Sequence, residues 1–147
     1  MGKKRIFIAA TIAVIGLMVF GGVALAGTML TAADMTGAKE VPGPGDPDGS
    51  GTADLNLIPK REKICYSITV DNIVPATMAH IHKGTSTEAG PIVKGLKAPT
   101  DGTSSGCVRL DRAKIMKIKN NPSGYYVNVH NDDFPNGALR DQLSPSP

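Results

Sequence analysis

From residue 27 onward, short stretches of alternating apolar and polar residues are separated by clusters of Gly, Pro, Asp and Asn. Alternation with period two marks strands that bury one face, and the breakers mark turns, so the pattern predicts an all-β domain. The clearest stretch is Ile64, Tyr66, Ile68 and Val70 alternating with Cys65, Ser67 and Thr69. Thr28–Met35 and Gly51–Ile58 precede it, the latter with Ala53, Leu55 and Leu57 on one face, and Pro59–Glu62 makes the turn between them and Ile64. Thr77–His82, Ile92–Leu96, Gly106–Leu110, Tyr125–Asn131 and Ala138–Leu143 complete the expected strands. Val41–Gly49, Lys83–Gly90, Ala98–Gly106 and Asp132–Gly137 read as loops, and Ser144–Pro147 as a frayed tail. One short helix is expected over Arg112–Lys119, capped by Asp111 and stopped by Asn120-Asn121-Pro122. Ala113, Ile115, Met116 and Ile118 offer its apolar side, and Lys114, Lys117 and Lys119 its solvated one. The fold class that follows is an antiparallel, Greek-key-like β-sandwich or barrel with one short helix, occupying residues 27–143.

The first 26 residues read differently. Lys3, Lys4 and Arg5 precede an apolar run from Ile6 to about Phe20, and Ala24-Leu25-Ala26 fits a cleavage site. These are the parts of a secretory signal peptide. An uncleaved membrane anchor is the alternative, because the run from Ile6 to Ala26 is long enough to span a bilayer. The charge balance changes with the leader. The chain has 16 Lys and Arg against 13 Asp and Glu, but three of the cations are Lys3, Lys4 and Arg5 and no anion lies in that segment. The remainder is formally neutral, which removes the electrostatic case for nucleic acid or, after cleavage, for a membrane surface.

Export also bears on Cys65 and Cys107, the only two cysteines. In an oxidising compartment an even pair is most simply one disulfide. Free thiols or a metal site are the alternatives. The strand alternation places both cysteines on the more polar faces of their strands.

The candidate chemistry lies in the three histidines, the only three in the chain. His80 and His82 sit in Ala79-His80-Ile81-His82-Lys83-Gly84, and His130 ends Gly124-Tyr125-Tyr126-Val127-Asn128-Val129-His130. Residues i and i+2 of a strand share a face, so His80 and His82 point the same way, and His130 shares its face with Asn128 and Tyr126. If the two strands are neighbours, three imidazoles converge on one ion, and such a donor set suits copper or zinc. Met78 shares the face of His80 and is a candidate extra ligand. Asp132 or Glu88 are further candidates, and Asn128 is a candidate for orienting a ring from behind. The rival reading makes the three imidazoles hydrogen-bonded polar groups of a strand face. Arg140 is expected to pair with Asp111, Asp132 or Asp133 or to bond a loop carbonyl, rather than to bind an anion.

From Cys65 to Leu143 the chain resembles the CHRD domain family. The resemblance rests on Cys65–Val70, Ala79–Gly84, Pro99–Gly102 with Gly106–Val108, and Gly124–His130 running into Gly137–Leu143. Ala38-Lys39-Glu40-Val41-Pro42 and Gly51-Thr52-Ala53 extend it upstream. Asp141 departs from the pattern, where the family usually has Gly after the Arg. The resemblance implies a β-sandwich or barrel outside the cytoplasm and assigns no reaction. The His-x-His strand followed by Gly is also similar to the copper-ligand strand of Cu/Zn superoxide dismutases, although dismutation needs more histidines than this chain has. Three expectations follow: a non-enzymatic exported domain holding copper or zinc, a structural or adhesive envelope module with no metal, and, last, a small metalloenzyme.

Overall fold

The computed structural model describes residues 27–147. The expected leader lies outside these residues. Nine strands and one helix follow in the order β1 (Thr28–Thr36), β2 (Ser50–Ile58), β3 (Lys63–Asp71), β4 (Ala76–Lys83), β5 (Ile92–Leu96), β6 (Thr103–Arg109), α1 (Arg112–Asn120), β7 (Tyr125–Asn131), β8 (Leu139–Gln142) and β9 (Ser144–Pro145). The strands form a single nearly closed antiparallel sheet in the order β5-β4-β7-β8-β1-β2-β3-β6, with β9 added to β1. The architecture is thus a barrel-like sheet rather than two separate layers. The chain reaches β7 only after crossing from β5 to the opposite end of the sheet at β6 and returning through α1, which gives the Greek-key character.

The alternation decides which face goes inside. Leu55 and Leu57 of β2, Ile64 and Ile68 of β3, Ile81 of β4, Val127 and Val129 of β7 and Leu139 of β8 are fully buried. Each such side chain contributes about 1.5–3 kcal/mol by leaving water. Pro59–Arg61 forms one turn of 3-10 helix, and Glu62 closes it at φ 49°. The helix packs Ile115 and Ile118 inward, while Ala113 is exposed. Asp111 stands at its N-cap position, yet the side chain makes no capping bond; its carboxylate lies 3.9 Å from Lys114 instead.

Three sequence expectations change. The segment expected as a loop to Gly106 is extended from Thr103, because β6 pairs with β3 from Thr103 opposite Thr69 to Arg109 opposite Lys63. The expected frayed tail is held: Ser144 and Pro145 pair with Thr31 and Leu30, and the Ser146 amide donates to the Met29 carbonyl at 3.2 Å. Asp141, the departure from the family pattern, is used as an anchor. It accepts from the Asp34 amide at 3.0 Å and from Lys39 Nζ at 2.9 Å, tying β8 to the end of β1.

The seam between β5 and β6 is bridged by side chains. Tyr66 Oη accepts from the Lys97 amide at 2.8 Å, and Ser104 Oγ donates to the Lys97 carbonyl at 2.8 Å. Gly106 faces Tyr66 in register, and a Cβ there would lie 3.1 Å from the Tyr66 hydroxyl. The missing side chain lets the phenol pass over. Cys65 and Cys107 are also direct cross-strand partners and are joined by a disulfide.

The disulfide spans 42 residues of sequence, for which the chain-entropy model gives about 4 kcal/mol. Urea unfolding of the Cys65→Ser/Cys107→Ser variant is expected to show a loss approaching that value, without a change of fold by circular dichroism.

Candidate metal centre

The site is built on the outer face of β4, β7 and β8. Strands β4 and β7 are hydrogen-bonded neighbours, with His80 opposite Asn128, His82 opposite Tyr126 and Met78 opposite His130. Ala79, Ile81, Val127 and Val129 fill the interior, so the pleat turns His80, His82, Tyr126, Asn128 and His130 to the other side. Every residue of β7 is nevertheless buried, because loops bond onto this outer face. The segment around Glu40 reaches Asn128, the 84–91 loop reaches His82, and the 132–138 turn reaches His130.

His80, His82 and His130 come together. Their candidate ligand nitrogens all lie within 4.8 Å of one another, and no Asp, Glu or Cys among the described residues joins the group. His82 Nδ1 lies 2.8 Å from the Gly90 carbonyl, and His130 Nδ1 lies 3.1 Å from the Pro135 carbonyl. A carbonyl only accepts, so each ring donates from Nδ1 and leaves its Nε2 as an acceptor. The Nε2 of His130 accepts from His80 Nδ1 at 3.1 Å. The Nε2 of His82 is buried and has no hydrogen-bond partner, an unusual state for a polar atom. Two nitrogens 3.1 Å apart, each about 2.05 Å from a metal, subtend about 100° at it, close to tetrahedral. The widest separation, up to 4.8 Å, exceeds the roughly 3.3 Å between two donors of a tetrahedral ion, so a ring must move by about 1.5 Å to close the set.

Behind the rings lies a second layer. The Tyr126 ring stacks on His82 at 4.9 Å and 11°, and the Arg140 guanidinium carbon sits 3.6 Å from the Tyr126 ring centroid. Tyr126 Oη accepts from the Gly90 amide at 3.0 Å, so Gly90 is held from both its amide and its carbonyl. Arg140 Nη2 donates to the carbonyls of Thr85 and Glu88, and Gln142 Nε2 donates to the Gly84 carbonyl at 3.0 Å. The loop that orients His82 is thereby pinned along its length.

Several sequence expectations are corrected here. Asn128 does not orient an imidazole through its amide nitrogen: that group donates to Glu40 Oε1 and to the Leu139 carbonyl. Backbone carbonyls orient the rings instead. Arg140 bonds loop carbonyls, as one of its expected roles had it, but it is only 1% exposed and forms no ion pair with Asp111, Asp132 or Asp133. Asp132 is exposed and Glu88 accepts from Thr85, so neither carboxylate joins the histidines. Met78 lies beside His130 in register but is 45% exposed. Glu40 was missed as a participant. Its only sequence signal is the Ala38–Pro42 stretch of the family resemblance. Gly137, at φ 145°, leaves room for it: a Cβ there would fall 2.3 Å from Glu40 Oε2.

Burial makes these groups resist charge. It lowers the His80 pKa to about 4, with His130 and His82 adding to the effect. Burial also lowers His82, with Arg140 contributing against the Gly90 hydrogen bond, and lowers His130. Glu40 moves the other way: burial raises it to about 7 against the pull of Arg140 and Asn128.

The site and fold define an all-β, disulfide-linked barrel with a largely buried three-histidine cluster on its outer face. The chain belongs to the CHRD domain family, whose model matches residues 31–143. That range includes the upstream extension as well as the stretches from Cys65 onward. Neither the characterised proteins nor the solved structures compared with the chain give a match.

The shifts give two opposed pH dependences. Between about pH 4.5 and 7 the folded chain holds the Glu40 proton more tightly than the unfolded chain does, so this contribution to stability is lost as pH rises. Glu40→Gln is expected to be more stable than wild type by about 2 kcal/mol at pH 8 and equal to it near pH 4. The imidazoles act in reverse. Unfolded histidines take up protons near pH 6.5 and the folded ones resist, so their contribution is complete above that value and lost as pH falls toward 4. In the Glu40→Gln background, chelator-treated protein is expected to lose about 1–2 kcal/mol between pH 7 and pH 4.5 after screening at the partly exposed His80. Denaturant melts at these pH values check both.

Proposed function

We propose that this CHRD domain is a non-enzymatic, exported metal-binding domain that holds copper or zinc through His80, His82 and His130. The observation that carries the reading is the buried, unpartnered Nε2 of His82, aimed by the Gly90 carbonyl while the Pro135 carbonyl aims Nε2 of His130. A purely structural histidine cluster has no use for a buried lone pair with no donor beside it. Neutral imidazoles pre-set by carbonyls behind them are the arrangement a metal ligand needs. The depressed pKa of all three rings keeps them deprotonated at neutral pH, so a metal does not compete with protons there.

Export is supported by the Cys65–Cys107 disulfide, which persists in oxidising compartments, and by the leader expected over residues 1–26. No helix among the described residues is long and apolar enough to cross a membrane. Asp132 is exposed and Glu88 accepts from Thr85, so among the described residues neither carboxylate joins the rings.

Titration of chelator-treated protein with copper and with zinc is expected to show one equivalent bound, with a rise in thermal midpoint that grows with free metal. The His80→Ala/His82→Ala/His130→Ala variant is expected to lose both the bound equivalent and the thermal shift. Equal uptake by the two proteins removes the proposal and favours a structural or adhesive role.

A further inference from the structure

We infer that the three-histidine site selects monovalent copper over divalent copper and over zinc, an inference that rests on the metal-binding reading above. Donor type alone does not decide this, since imidazole suits both copper and zinc. Charge does. The cluster offers three neutral nitrogens, and no Asp, Glu or Cys among the described residues joins it. A bound ion therefore keeps its full charge in a site where His82 and His130 are buried. The cost of taking an ion out of water grows with the square of its charge in the Born treatment, so a divalent ion pays about four times the penalty of a monovalent one.

The surrounding charge acts in the same direction. The Arg140 guanidinium is buried and lies against Tyr126, whose ring stacks on His82. Its repulsion is felt twice as strongly by a divalent ion as by a monovalent one. The buried carboxylate of Glu40 offsets part of the Arg140 charge when ionised, but it is hydrogen-bonded to Asn128 rather than to a ring. Met78, across the register from His130 and 45% exposed, offers on that strand a neutral thioether rather than an anion. Arg140 is thus a specificity-determining residue that never touches the metal.

The test uses the purified, disulfide-bonded protein. Monovalent copper is titrated under nitrogen against bicinchoninate, divalent copper against glycine, and zinc against a chromophoric indicator. The monovalent ion is expected to bind at least about a hundredfold more tightly than either divalent ion. For a one-electron couple, at 59 mV per tenfold, that ratio corresponds to a potential about 120 mV above that of aqueous copper, which voltammetry reads independently. Arg140→Gln is expected to narrow the ratio about tenfold, and Arg140→Lys, which keeps the charge, to preserve it. Divalent copper or zinc binding as tightly as the monovalent ion, with all uptake still lost in the triple histidine variant, overturns the selectivity and leaves the metal site standing. No histidine-dependent uptake of any of the three ions overturns both. A correctly folded Arg140→Gln with an unchanged ratio removes Arg140 from the explanation. Should that variant not fold, the wild-type ratio and potential decide the selectivity alone.

Discussion

The register of β4 on β7 is the constraint on which everything else here depends. Sliding one strand by a single residue would send His80 and His82 into the barrel and expel Ala79 and Ile81. That exchange is forbidden by the interior, where Ile81, Val127 and Val129 have no exposed surface. The imidazoles therefore do not hold themselves in place. Hydrophobic packing on one side of the sheet sets the positions of polar groups on the other, and the histidines acquire their juxtaposition from the burial of their neighbours.

Loops then convert a strand face into an oriented donor set. Exposed imidazoles on a strand would rotate and protonate freely near neutral pH. Here the carbonyls of Gly90 and Pro135 each fix a ring, and the covering loops lower the local polarity. Arg140 links these devices, since it stacks on Tyr126 and bonds the carbonyls of Thr85 and Glu88. Its position opposite Asn128 in register places it at the middle of the outer face, within reach of the loop from Gly84 to Gly90. Glu40 closes the other side through Asn128 and fits beneath Gly137.

Much of this was legible in the chain. Strict alternation from Ile64 to Val70 announced both a strand and its buried face, and the same rule put the three histidines on shared faces of their own strands. The cysteine pair followed from the even count and from the export that the leader predicts. The adjacency of β4 and β7 was not legible, because the chain forms β5, β6 and α1 before it reaches β7, and no local pattern encodes a pairing of that range. Nor were the ring-orienting groups: Gly90 and Pro135 act through their main chain, which carries no side-chain signal. Arg140 looked like a surface residue because arginine usually is one. Its burial depends on carbonyls supplied more than fifty residues away, at Thr85 and Glu88. Glu40 and Asn128 meet across 88 residues, and Ser144 and Pro145 looked like a loose end because so short a strand has no alternation to show.

Strand β6 is the last in the sheet, hydrogen-bonded along one side only. A strand edge left open is the usual template on which identical chains stack into aggregates. The covalent bond from Cys107 to Cys65 keeps that strand from peeling away, and the Ser104 and Tyr66 hydroxyls engage the Lys97 main chain beside it. The covalent link thereby protects solubility as well as conformational stability.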